Sequence, residues 1–157
     1  AIPNVTNDTL WMNLETGAWC FYYNQVFYGK LYNGYAVETG KLCPTGWHVP
    51  TDAEWTVLTD YLAADGHSGT EGTALKATSG WNSGGSGTDD YGWKGLAEGS
   101  RSGYGFFGGY RYYGSWWSSS QSSTNYAWYR SLDHESVYVN RDEDNKKEGF
   151  SVRCLKD

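Results

Sequence analysis

The 157-residue sequence predicts an α+β domain, and three observations carry that expectation. One amphipathic helix announces itself with a capping signal about a third of the way along the chain, strict two-residue alternation appears beyond Ser115, and a long Gly- and Ser-rich stretch separates the two. A chain of this length makes one domain and buries roughly two thirds of its unfolded surface without many cross-links. Hydrophobic residues make up only 39%, but aromatics reach 18%, with nine Trp and fourteen Tyr, so the core must be built largely from rings.

The elements follow in order. From Ala1 to about Tyr28 the chain is turn-rich, and Trp19, Phe21, Tyr23 and Phe27 stand at even spacing, which predicts a hairpin or two short strands. Leu31, Tyr32 and Tyr35 have helical spacing and predict a short helix over Lys30–Val37, ended by Gly40. In Val49-Pro50-Thr51-Asp52-Ala53-Glu54-Trp55, Thr51 can cap a helix and Glu54 can reach back to it. The helix then runs from Asp52 to about Ala63, with Trp55, Leu58 and Leu62 as its core stripe beside Val57 and Tyr61, and Gly66 ends it. Asp65 to Gly92 reads as a long loop held by Leu75 and Trp81.

Beyond it, Trp128, Arg130 and Leu132 share one face of a strand and Tyr129, Ser131 and Asp133 the other. Ser136–Arg141 repeats the scheme, with Val137, Val139 and Arg141 facing one way and Ser136, Tyr138 and Asn140 the other. A turn at His134 and Glu135 would pair the two strands, and Phe150, Val152 and Cys154 predict a closing strand. Arg130, Arg141 and Arg153 then lie inward, as scaffold pins needing hydrogen-bonded partners.

Charge narrows the function. A net charge of −6 and twelve scattered Lys and Arg argue against nucleic acid as partner, which requires clustered cations. No stretch approaches 18 apolar residues, so no direct insertion into a membrane is expected. Cys20, Cys43 and Cys154 lack C-x-x-C spacing, which removes the usual zinc and redox motifs. In an oxidising compartment an odd count gives one disulfide and one spare thiol; in the cytosol all three could be small buried residues.

Between Gly99 and Lys147 a sparse frame of Gly, Trp, Val, Leu and Arg is filled almost wholly with Tyr, Ser, Asn, Asp and Gly. Tyr supplies stiff, half-polar contact area at low entropic cost, and Ser, Asn and Gly supply adaptable hydrogen bonds, so this alphabet suits recognition better than catalysis.

Several strings stand in order: Leu42-Cys43-Pro44-Thr45-Gly46-Trp47-His48-Val49-Pro50-Thr51, Glu54-Trp55, Leu75-Lys76-Ala77-Thr78-Ser79-Gly80-Trp81, Gly87-Thr88-Asp89-Asp90-Tyr91-Gly92, Trp116-Trp117-Ser118-Ser119, Ala127-Trp128-Tyr129-Arg130 and Gly149-Phe150-Ser151-Val152-Arg153-Cys154. Together, over roughly Trp11 to Asp157, they resemble the Fibrobacter succinogenes major paralogous domain. That family is similar to the C-type-lectin-like fold in the variant of formylglycine-generating enzymes, which also serves the variable proteins of diversity-generating retroelements. The resemblance implies short helices, small antiparallel sheets, long irregular loops, a disulfide between Cys43 and Cys154, and a ligand face near the C-terminal strands.

In such variable proteins, adenine-directed changes in AAC or AAT codons yield mainly Tyr, Asn, Asp, Ser, His and Gly. The filler here looks like that output, except at Glu135 and Glu143, whose codons end in a purine. Either a template carried lysine-type codons there, or this is a paralogue that diverged by drift.

The expected contact residues are Ser102, Tyr104, Phe107, Tyr110, Tyr112, Tyr113, Ser115, Tyr129, Ser131, Asp133, His134, Glu135, Ser136, Tyr138, Asn140, Asp142 and Asp144, with Tyr104, Tyr112, Tyr113, Tyr129 and Tyr138 as anchors. No catalytic residue, metal or cofactor is expected. Trp81-Asn82-Ser83 lacks the acid that a calcium-binding lectin motif needs, and Asp89 and Asp90 read as turn caps. Cys20 reads as a buried or spare thiol, and at least one of Trp116 and Trp117 as structural. The expected role is a secreted or cell-surface binding domain, part of a larger surface or phage protein, for a protein ligand or a surface glycan.

Overall fold

A computed structural model describes residues 1–157. In chain order the elements are α1 (Asp8–Met12), β1 (Trp19–Phe21), β2 (Lys30–Asn33), α2 (Gly34–Glu38), β3 (Trp47–His48), α3 (Asp52–Leu62), α4 (Glu71–Leu75), β4 (Glu98–Arg101), β5 (Phe107–Tyr110), β6 (Tyr113–Gln121), β7 (Tyr126–Asp133), β8 (Asn140–Asn145), β9 (Gly149–Phe150) and β10 (Leu155–Lys156). The larger sheet has the order β1-β2-β9-β4-β6-β7-β8, with β5 added to β4, while β10 pairs with β3. Every pairing is antiparallel except that of β4 with β6. The fold is therefore α+β, with short helices around mostly antiparallel sheets.

Local chemistry places α3. The Glu54 amide donates to Thr51 Oγ1 at 3.2 Å, and the Thr51 amide donates to Glu54 Oε2 at 2.8 Å, which completes the capping box. Trp55 and Leu62 are buried and Leu58 packs beside them, whereas Val57 and Tyr61 point to solvent. Arg130, buried on β7, donates to Asp52 Oδ1 at 2.6 Å and so pins the first turn of α3 to the sheet.

The two central tryptophans point opposite ways, as adjacent residues of a strand must. Trp116 joins Trp55, Leu62, Leu75 and Leu132 on the α3 side, while Trp117 joins Val37, Ala127 and Phe150 on the other. Both are buried, and a ring of that size removes roughly 150–250 Å² from water, on the order of 4–6 kcal/mol before entropy is counted. A third cluster, with Trp11, Ala18, Cys20, Tyr22 and Leu31, fills the space under the N-terminal segment.

Four segments differ from the sequence reading. Lys30–Val37 splits into β2 and α2, because Asn33 Oδ1 accepts the Ala36 amide at 2.9 Å and starts the helix only at Gly34. Residues 136–139 form no strand: Lys76 Nζ donates to the carbonyls of Asp133 and Ser136, and the Thr73 amide donates to that of Val137. Those bonds hold the segment against α4, so pairing with β7 begins only at Asn140. The closing strand is likewise interrupted, with β9 ending at Phe150 and β10 starting at Leu155. The predicted loop over 65–92 starts in a π-helical turn, Ala63–His67, and contains one short α-helix, α4.

Candidate functional site

Cross-strand partners share a sheet face, so the register of β6, β7 and β8 defines the surface. Tyr113 stands opposite Asp133, Ser115 opposite Ser131, and Trp117 opposite Tyr129. On the far side of β7, Ser131 faces Asn140, Tyr129 faces Asp142 and Ala127 faces Asp144. Tyr113, Ser131, Asp133, Asn140, Asp142 and Asp144 thus lie on one face, at least partly open to solvent.

The loop between β4 and β5 borders the end of this face. The Ser102 amide donates to the Phe106 carbonyl at 2.7 Å, the Gly105 amide to the Ser102 carbonyl at 2.8 Å, and the Phe106 amide to Ser102 Oγ at 3.2 Å. Ser102 thereby builds the turn that lifts Tyr104, 72% exposed, into solvent. Gly105 has φ +95°, and a Cβ there would sit 2.6 Å from that of Asp8, so no side chain fits. Glu148 Oε1 accepts the Gly103 amide at 2.8 Å and ties the loop to the chain beyond β8.

Other expected contacts lie elsewhere. Ser115 is only 7% exposed, because its strand pairs with β7 on one side while its carbonyl accepts the Ser151 amide on the other; it is scaffold. Tyr129 is half-buried, 4.8 Å from Phe150 and 6.2 Å from Trp117 between ring centroids. Its hydroxyl is pushed up to about 12 by burial, then by the charges of Asp142, Asp144 and Glu148. Its ring is core, and only its edge belongs to the face. Phe107 packs on the Arg101 guanidinium and on Tyr22 and Tyr23, and Tyr110 packs on Tyr22 and Tyr28, which places both in a neighbouring aromatic cluster.

Tyr112 and Tyr113 have centroids 6.5 Å apart, and Tyr112 covers His134 at 4.9 Å. The His134 side chain, 10% exposed and 3.1 Å from Asp133, is a support for Tyr112 more than a contact. Glu135 is exposed at the turn; Ser136, half-buried, accepts the Tyr138 amide through Oγ. Tyr138 is exposed but sits over Gly69 and beside α4, on the α3 side of the sheet. The seventeen expected positions therefore form a face, a rim at the β7–β8 turn, and outliers. Exposed Phe106 and Tyr126 are absent from the expected contacts, although Tyr126 belongs to the filler alphabet; Phe106 and Glu148 lie outside it and carry no such signal.

The edge strand β8 is capped by its own carboxylates. The Glu143 amide donates to Asp142 Oδ1 at 2.8 Å and the Asn145 amide to Asp144 Oδ1 at 2.7 Å, which removes donors that an added strand would seek.

With this geometry in view, residues 1–156 match the Fibrobacter succinogenes major domain. The chain belongs to that family. No curated protein and no solved structure matches it. In this member of the family Cys43 and Cys154 are joined in a disulfide, and Cys20 is fully buried, its thiol pushed up by burial.

Of the three expected arginine pins, only Arg130 is buried. Arg141 lies over Trp128 at 3.6 Å, half-exposed, and pairs with Asp52 at 2.8 Å, while Arg153 is exposed and donates to the Trp93 carbonyl. Asp89 Oδ1 accepts the Lys94 amide and Asp90 Oδ2 the Thr88 hydroxyl, as turn caps do. No group of three or more His, Cys, Asp or Glu is arranged to hold a metal ion, and no helix is long and apolar enough to cross a membrane.

Proposed function

We propose that this domain is a non-enzymatic ligand-binding module of the C-type-lectin-like kind, displaying a diversified face to a protein ligand at the cell surface or on a phage particle. The observation that carries this reading is the contrast between the two sides of one sheet. One side is covered by α3; on the other, α2 and Phe150 cover Trp117 and Ala127, and beyond that patch Tyr113, Ser131, Asp133, Asn140, Asp142 and Asp144 are presented on strands held by buried Trp116, Trp117 and Arg130. Stiff aromatic contacts on a rigid frame, surrounded by small polar groups, suit recognition by side chains. The capped edge of β8 supports side-chain contact over strand addition.

The disulfide fits an oxidising compartment and hence an extracellular part of a larger protein. With two thiols joined and the third buried against Arg101, no sulfur is open to chemistry of the formylglycine-generating type. Concentration of Tyr, Asn, Asp and Ser on one face also fits a retroelement variable protein, in which changes are confined to such positions. A protein ligand is favoured over a flat glycan chain because the exposed rings are dispersed among carboxylates instead of standing in a row.

The test compares single alanine variants. Tyr104→Ala and Tyr113→Ala should each weaken ligand binding at least tenfold while shifting the melting temperature by no more than a few degrees. Tyr129→Ala should instead cost about 2 kcal/mol, around half the value for a fully buried ring, and lower the melting temperature by roughly 4–8 °C. A glycan array beside a pull-down of cell-surface proteins identifies the ligand class, and unchanged binding by both exposed-tyrosine variants would overturn the reading.

A further inference from the structure

Where the face meets the loop between β4 and β5, a cleft of about 350 Å³ opens between Tyr104 and Tyr126, lined also by Met12, Asn145, Lys147 and Glu148. Both tyrosines are exposed, at 72% and 42%. Glu148 has one oxygen engaged by the Gly103 amide, and no cation pairs with it. Lys147, the only cation lining the cleft, has its Nζ on the Met12 carbonyl at 3.0 Å.

Three of the domain's other covered cations are neutralised by carboxylates, whereas Lys76 donates only to backbone carbonyls. Arg101 pairs with Asp8, Arg130 with Asp52 and Lys146 with Glu38. Glu148, like Glu98, is a largely covered carboxylate with no ion-pair partner, but it alone of the two lines a cleft beside two exposed tyrosines, whose π faces favour cations. We infer that this cleft receives a basic side chain, arginine or lysine, from a partner protein, seated between Tyr104 and Tyr126 and paired with Glu148. Burial pushes Glu148 up to about 7, the Gly103 hydrogen bond opposes that and the Asp144 charge adds to it, so a cation seated in the cleft would favour the ionised form.

The proposal rests on reading this face as a contact surface, but its test does not need the natural partner. A tri-arginine peptide is titrated into the intact domain and followed by amide shifts, beside a tri-citrulline peptide of the same shape without charge. Saturable shifts should centre on Gly103, Tyr104, Tyr126 and Glu148, and the citrulline peptide should bind at least about tenfold more weakly. Glu148→Gln keeps an acceptor for the Gly103 amide, so it should fold normally yet lose about tenfold in affinity, whereas Glu143→Gln, on the exposed edge strand, should not. Lys147→Gln removes a competing cation and should strengthen binding.

Affinity should also rise between pH 5 and pH 8 as Glu148 ionises, with the Glu148 carboxyl titration moving down when peptide is bound. The charged and titratable groups around it are Asp144, Tyr129, Lys147, Tyr104 and Tyr126. Equal losses from Glu148→Gln and Glu143→Gln, or shifts spread over every acidic residue, would overturn the proposal as a diffuse field effect. Loss of natural ligand in the tyrosine variants, with Glu148→Gln unaffected, would overturn it alone and leave the contact surface standing.

Discussion

Replacing Arg101 by alanine should destabilise the domain by about 3–5 kcal/mol, lower its melting temperature by about 10 °C and release the loop that carries Tyr104. Arg101 is fully buried. Its Nε donates to the Gly105 carbonyl at 3.0 Å, and its terminal nitrogens donate to the carbonyls of Val5 at 2.7 Å and Thr6 at 3.1 Å and to Asp8 Oδ1 at 2.6 Å. The guanidinium also lies over Trp11 at 4.4 Å and Phe107 at 4.9 Å. Alanine leaves the Val5 and Gly105 carbonyls without their donor, leaves that of Thr6 with only the Asn24 side chain at 3.3 Å, and opens a cavity between two rings.

Lysine cannot rescue it, because a single ammonium has no fork to span acceptors on both the N-terminal segment and the loop. Asp8 contributes little, since its side chain is 60% exposed and solvent screens the pair, so Asp8→Asn should cost under about 1 kcal/mol. Chemical denaturation measures the first effect, and faster exchange of the Gly105 amide measures the second. A loss under about 1 kcal/mol for Arg101→Ala would show that the N-terminal segment does not depend on it.

Replacing both Cys43 and Cys154 by serine should cost up to about 5 kcal/mol. The disulfide closes a loop of 111 residues out of 157, and chain-entropy reasoning assigns roughly 4.7 kcal/mol to a loop of order 100 residues. It acts beside the small β3–β10 pairing, where Leu155 faces His48 and Lys156 faces Trp47. His48 braces the same corner, with Nδ1 2.6 Å from Asp157 and Nε2 3.0 Å from Glu54, and both contacts raise its pKa. Denaturation of the serine variant against the oxidised domain gives the cost. A difference under about 1 kcal/mol would mean that the unfolded chain is not restrained by the cross-link.

Features whose causes lie within a few residues were legible. The capping box at Thr51 and Glu54 is a three-residue device, and the alternation of Trp128, Arg130 and Leu132 states which side of β7 is inward. What could not be read depends on distant partners. Val137, Tyr138 and Val139 alternate as well as any strand, but Lys76 and Thr73, some 60 residues earlier, take the carbonyls around them. Arg101 carries no local sign of its role, because three of its four acceptors lie more than 90 residues upstream.

The site divided in the same way. Composition singled out a stretch that supplies much of the exposed sheet face, and period two pointed to Ser131 and Asp133 as displayed. Burial of Tyr129 and Ser115 was hidden, since Phe150 and Ser151 cover them from another strand.

The most direct test of the contact face is photo-crosslinking with benzoylphenylalanine placed singly at Tyr104, at Tyr113 and, as control, at exposed Val57 on α3. Adducts to the partner should form from Tyr104 and Tyr113 and not from Val57. Adducts from Val57 alone, or equally from all three, would contradict the assignment of binding to the tyrosine-bearing face.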